Sequence, residues 1–235
     1  MGTHALRTRL EGLVANERAE TCAIARRRYP DSGVYSRAIG SGIAVFGGAA
    51  IGLSSVSGLG EGSTLTEHES AALREFLDDV GEHPVEVSVP VESDPELVAL
   101  ISSLGMRLLE FEDVLVLDIG QASGVGPSTS VSQEVPSLRE ASVLVRLSDD
   151  ADRWAELVAR AFSEGHTPPK ADARFARCMA ERQGVELYWA VCEDVPVAAG
   201  ELWMGEGVAW LSADVTLPQY RGRGLQMRLQ QARLT

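Results

Sequence analysis

The stretch Asp214-Val-Thr-Leu-Pro-Gln-Tyr-Arg-Gly-Arg-Gly-Leu-Gln226 narrows the choice of folds more than any other part of this chain, because it reads as a strand passing through a glycine-and-arginine turn into a helix. Pro218 cannot donate to a sheet ladder and pushes Leu217 towards extended geometry, so the strand ends there. Gly222 and Gly224 permit a sharp turn with no Cβ in the way of a bulky ligand. Arg221 and Arg223 add fixed positive charge beside the same amides. Leu225, Met227 and Leu229, interspersed with Gln and Arg, suit a helix in propensity and pattern. The N–H groups of such a turn converge with the unpaired N–H groups of the first helical turn, which makes a site for phosphate oxygens.

Gln219-Tyr-Arg-Gly-Arg-Gly224 resembles the Gln/Arg-x-x-Gly-x-Gly/Ala signature of the GCN5-related N-acetyltransferases, in the strand-turn-helix setting that signature requires. The resemblance implies an acetyl-CoA site. Gln219 opens the motif, and the amides of Arg221, Gly222, Arg223, Gly224, Leu225 and Gln226 would hold the pyrophosphate. Backbone groups of Val215, Thr216 and Leu217 would pair with the pantetheine arm like an added strand. It further implies direct transfer: an amine loses a proton and attacks the thioester, and a backbone N–H near Leu217 holds the oxyanion. Asp214, on the strand leading to the turn, is the first candidate for the base, and Glu201, on the preceding strand, the second. For both, a solvent-facing strand carboxylate is the competing reading. Trp189, Trp203 and Trp210 are candidates for the acceptor pocket or for plain core.

Upstream elements follow the order of that family's first half. Val143–Leu147 alternates as a strand, Asp149 or Asp150 caps a helix through Trp154, Leu157, Val158 and Phe162, and Gly165-His-Thr-Pro-Pro169 breaks it. A second helix from Ala171 to about Arg182 ends at Gly184, and three strands follow, at 186–193, 197–204 and 208–216. A complete domain of the family would continue with a strand, a helix that usually carries a tyrosine general acid, and closing strands. None of these has residues here, so the expectation is a domain truncated after the acetyl-CoA motif, or one completed across a homodimer.

The amino-terminal half predicts a helix over Ala5–Arg28, two buried strands in the charge-free stretch from Ala38 to Gly60, and a helix capped at Thr66. A strand at Val85–Val89, a helix capped by Asp94 with Pro95 in its first turn, and a closing strand or hairpin from Arg107 to Ile119 complete the series. The segment Ala99–Met106 is similar to the tail of an N-acetyltransferase domain, although the position matching its tyrosine is hydrophobic. Gly58-Leu-Gly-Glu-Gly-Ser63 stands where a cradle would be, with no arginine and with the repelling charge of Glu61. The reading is α/β of the α+β type: mixed, mostly antiparallel sheets flanked by helices, in two halves resembling N-acetyltransferase domains. Residues 1–120 form a degenerate domain without the cofactor signature, 121–136 a Gly/Ser/Pro-rich linker, and 137–235 the acetyl-CoA-binding part.

Several functions are excluded by what surrounds the motif. A net charge of −13 opposes general nucleic-acid binding, which needs a positive surface. The charge-free stretch from Ala38 to Gly60 is too crowded with Gly and Ser for a membrane span, and the amino terminus has no sustained apolar core of a signal peptide. Cys22, Cys178 and Cys192 are widely spaced, form no metal or disulfide pattern, and suit a reducing, cytoplasmic setting. His166 alone among the histidines falls near the acceptor side by analogy. Two functions of different class follow: an acetyl-CoA-dependent N-acetyltransferase acting on a primary amine of a small molecule or protein, or a non-catalytic acyl-CoA-binding or scaffold module, including an inactive fragment. Neither calls for a metal.

Overall fold

The computed structural model describes residues 3–59, 65–90, 93–112, 114–117, 143–148, 150–205 and 207–234. The linker assigned to 121–136 and most of the 58–63 loop lie outside the described residues. The helix α1 (Thr3–Arg28) comes first, then strands β1 (Tyr35–Ile39) and β2 (Gly42–Phe46), the short helix α2 (Gly48–Ile51) and β3 (Ser54–Ser57). The series continues with α3 (Glu67–Val80), β4 (Glu86–Val87) and α4 (Pro95–Ser103). Strand β5 (Val143–Leu147), helices α5 (Ala151–Phe162) and α6 (Lys170–Ala180), strands β6 (Val185–Cys192), β7 (Val195–Gly205) and β8 (Val208–Thr216), and helix α7 (Leu225–Arg233) form the second half.

Two four-stranded sheets result, ordered β1-β2-β3-β4 and β5-β6-β7-β8. Every described pairing is antiparallel except β3 with β4. This is the mixed, helix-flanked α+β arrangement expected. The charge-free stretch enters the first sheet as β2 and β3, joined by the single helical turn of α2. Helix α5 buries Trp154, Leu157, Val158 and Ala161, at the spacing that makes one helical face, against β6 and β8 side chains including Trp189 and Val215. Asp150 caps it by accepting from the Arg153 N–H at 2.9 Å.

Helix α3 starts in a reciprocal capping box. The Thr66 hydroxyl accepts from the Glu69 N–H at 3.2 Å, and the Glu69 carboxylate accepts from the Thr66 N–H at 2.7 Å. The backbone bond from Thr66 holds the Glu69 carboxyl below its usual range, so this contribution is present at neutral pH and lost as the pH falls through the lowered value. Thr66→Ala is expected to cost about 0.5–2 kcal/mol, read by urea unfolding at neutral pH.

The two halves share a core. Cys22, Ile24 and Ala25 of α1, with Val45 and Ile51, pack against Cys178 of α6, and Phe175 flanks the cluster. An ion network completes the junction. Arg182, just after α6, pairs with Glu17 of α1 at 3.1 Å and with Glu201 of β7 at 2.5 Å, all three being buried. The Gln183 N–H donates to Glu20 of α1 at 2.6 Å.

The strand expected from Arg107 to Ile119 does not form: the described residues 106–112 and 114–117 belong to no helix or strand. Its apolar side chains stand in solvent, with Leu115 94% exposed. Alternation is a property of the segment alone, whereas a ladder needs a partner, and the neighbouring edge strand β4 is only two residues long. The strand expected at 85–89 shortens to Glu86–Val87 for the same lack of a second neighbour.

Candidate functional site

Strand β8 lies at the edge of the second sheet, so one row of its backbone groups faces away from β7. A bulge interrupts the β7–β8 ladder: Ala199 pairs with Val215 and Glu201 with Ser212, leaving Gly200 opposite both Ala213 and Asp214. Ala213 takes up the extra residue with a left-handed φ of 53°. Such a backbone costs on the order of 1–3 kcal/mol. Gly200 makes the bulge possible, because a Cβ there would lie 2.7 Å from the Arg233 guanidinium and 2.8 Å from Asp214 Oδ1.

Beyond β8 the chain makes a 3-10 turn over Pro218–Tyr220, passes through Gly222 and Gly224 at φ of 73° and 69°, and enters α7. A Cβ on either glycine would meet nothing within 4 Å, so the backbone approach is open. Among the described residues no backbone carbonyl accepts from the N–H groups of Gly222 to Met227; the first bond of α7 runs from the Arg228 N–H to Gly224 at 3.3 Å. The run of free donors read from the sequence is therefore present from Gly222 onward, at the positive end of a helix, but not at Arg221, whose N–H is spent on the Pro218 carbonyl at 3.2 Å in the 3-10 turn. The Gln226 amide donates to the Thr216 hydroxyl at 2.9 Å and ties the helix start to the strand end.

These residues wall one side of a cleft of about 380 Å³. Asp214, Val215, Thr216, Arg221, Gly222, Arg223, Gly224, Leu225 and Gln226 line it, with Tyr220, and Ala161, Phe162 and Glu164 come from the end of α5. Gln219 and Leu217 do not line it; Gln219 offers its carbonyl to Arg223 at 3.2 Å, and Leu217 is buried. The arginines are not free cations. Arg221 forks onto the Glu164 carboxylate at 2.8 and 3.3 Å and donates to the Thr216 carbonyl at 3.1 Å, while Arg223 lies over the Tyr220 ring.

The oxyanion role expected near Leu217 does not fall on Leu217 itself. Its N–H is spent on the Val197 carbonyl at 3.0 Å, because the ladder with β7 runs one residue past the end of β8.

The two carboxylate candidates occupy different environments. Asp214 lines the cleft and is 30% exposed at its side chain, and Arg233, at the end of α7, pairs with its Oδ1. Burial pushes the Asp214 carboxyl above its usual range, and Arg233 opposes that rise. Glu201 is fully enclosed, accepting from Arg182 and, at 2.6 Å, from Ser212, and burial pushes its carboxyl up as well. It does not reach the cleft. Of the two readings open for the tryptophans, Trp189 and Trp203 take the core one, and none of Trp189, Trp203 and Trp210 lines the cleft. The His166 ring is bonded to the Ser163 carbonyl at 3.1 Å and is exposed, outside the cleft lining.

Sequence reading missed Glu164, Phe162 and Arg233. Glu164 carried one usable signal, its place in the Ser163-Glu-Gly165 helix stop, where a short turn folds a side chain back. Arg233 carried none.

No family model matches the chain, and no curated protein matches its sequence. Among solved structures it is similar to a GCN5-related N-acetyltransferase from Kribbella flavida, with a TM-score of 0.54 and 16% identity over 88% of this chain and 76% of that one. The chain thus has the fold of a GCN5-related N-acetyltransferase, and the shared portion exceeds either half of it. The described residues hold no cluster suited to a metal ion and no helix long and apolar enough to cross a membrane.

Proposed function

We propose that this chain binds acetyl-CoA in the cleft beside α7 and transfers the acetyl group to a primary amine. The observation that carries the reading is the run of unpaired N–H groups from Gly222 to Met227, opening onto the cleft beside the free edge of β8. A diphosphate fits this donor set: the groups are amides at a helix start, and hydrogen atoms alone occupy the Cα positions that would crowd it. Gly222, Arg223, Gly224, Leu225 and Gln226 would hold the phosphates, and the outer edge of β8 near Val215 and Thr216 would run beside the pantetheine. When bound, acetyl-CoA supplies an activated acyl carbonyl as its thioester.

We assign the proton-accepting role to Asp214. Its Oδ1 is held by Arg233, which orients the carboxylate, and Oδ2 has no hydrogen bond among the described residues. Oδ2 would accept the proton of the acceptor amine, directly or through water. Glu201 is assigned to the junction between the halves, since an enclosed, ion-paired carboxylate cannot meet a substrate.

Calorimetric titration of acetyl-CoA into the chain and into Gly224→Glu tests the cradle. The added carboxylate stands at the anion site, and at least a ten-fold loss of affinity is expected, with the melting temperature of the variant as the control for folding. Equal binding by the two proteins would remove the cradle. Thiol release with a panel of primary amines then separates a transferase from a module that only binds.

A further inference from the structure

We propose that Glu164 is a carboxylate latch that competes with the diphosphate for Arg221 and thereby sets the affinity of the cleft. This rests on the cofactor reading above and adds a regulatory residue to it.

The geometry begins in the turn that ends α5. Glu164 adopts a left-handed φ of 52° and Gly165 one of 81°, and three bonds close the turn: Glu164 to Ala161, Gly165 to Arg160 and His166 to Ser163, at 3.2, 2.9 and 2.9 Å. Left-handed backbone at a glutamate is unfavourable and persists only where the surroundings fix it. Here the turn is seated on the cradle at two points. Gly165 sits beside Pro218, where an added Cβ would be in ordinary van der Waals contact with the proline ring at 3.5 Å, and the Glu164 carboxylate takes both Nη atoms of Arg221. Arg221 is simultaneously anchored through Nε to Thr216.

An acidic side chain thus occupies the cation that stands beside the free amides, on the wall of the same cleft. A diphosphate at those amides meets an arginine whose forked face is already committed. The pair is open to solvent, with side-chain exposures of 48% for Arg221 and 63% for Glu164, so it is a weak competitor rather than a block. A ligand carrying several negative charges displaces it at a modest cost in affinity.

Glu164→Asp and Glu164→Gln test the latch by calorimetric titration with acetyl-CoA at low ionic strength. Aspartate keeps the charge and tolerates left-handed backbone, but its shorter stem cannot hold the fork. Both substitutions are expected to tighten binding by roughly two- to five-fold, and neither is expected to do so in an Arg221→Gln background. Three results would overturn the latch: affinities unchanged in both variants, tightening by Gln but not by Asp, or an undiminished gain without Arg221. Absence of acetyl-CoA binding in every form, the unsubstituted chain included, would overturn the cofactor reading itself and the latch with it.

Discussion

Arg182→Met is expected to destabilise the protein by about 3–5 kcal/mol, because it removes the single guanidinium that serves two buried carboxylates. Arg182 reaches Glu17 at 3.1 Å and Glu201 at 2.5 Å, its Nε donates to the Met179 carbonyl at 3.1 Å, and it lies over the Trp203 ring. Methionine fills much of the volume but leaves Glu201 with Ser212 as its only side-chain donor among the described residues, inside a site that already penalises its charge. The loss has a pH signature. Burial raises the Glu201 carboxyl and Arg182 pulls it back, so removing Arg182 raises it further. A carboxyl whose folded pKa exceeds the unfolded one contributes stability that is complete below the unfolded value and lost as the pH rises through the folded value. The deficit of the variant should therefore be largest above the raised value and shrink as the pH falls below it. Urea unfolding of both proteins on either side of that value measures it. A deficit under about 1 kcal/mol, or one independent of pH, would show that the junction does not depend on this network.

Asp214→Asn is expected to lower acetyl transfer by about 10²–10⁴-fold while acetyl-CoA affinity changes by less than about two-fold. The separation follows from the geometry, since the free amides belong to the turn and α7 while Asp214 belongs to the bulge of β8. Asparagine retains an oxygen for Arg233 but not the negative charge, so the buried guanidinium keeps only the carbonyls of Leu229, Glu201 and Ser212 as strong partners. A stability loss of about 1–3 kcal/mol is expected alongside, and rates must be read below the variant's melting transition. In the unsubstituted protein the acidic limb of the rate profile should lie above the usual carboxylate range, because burial raises the Asp214 carboxyl against the pull of Arg233. The rate falls as the pH drops through that value, where the base becomes protonated. A variant that keeps its rate, or keeps the same acidic limb, would exclude Asp214 as the proton acceptor.

Much of the candidate site was legible in the chain because its signals are local. Gly222 and Gly224 take the left-handed conformations that their lack of a Cβ permits, Pro218 closes the strand, and the helix that follows leaves its first amides unpaired. Thr66 with Glu69, and Asp150 with Arg153, are caps whose partners lie three residues away, within reach of any sequence reading. Leu217 shows the limit. Its place just before Pro218 announces an extended residue, but whether its N–H meets a ligand or Val197 depends on a strand some distance earlier in the chain. The run from Arg107 onward shows the same limit from the other side, as apolar alternation without a neighbour makes no ladder.

By itself the sequence determined where the chain turns, where its helices start, and that one turn would present bare amides, since each of these depends on residues within a few positions of one another. Tertiary structure alone decided which groups remain free to act. Glu201 and Asp214 look alike as strand carboxylates, yet Arg182 encloses one and Arg233 aims the other into a cleft. Arg221 reads as a free cation until Glu164, 57 residues earlier, takes its fork. Burial and pairing are set by contacts between distant segments, and no local pattern records them.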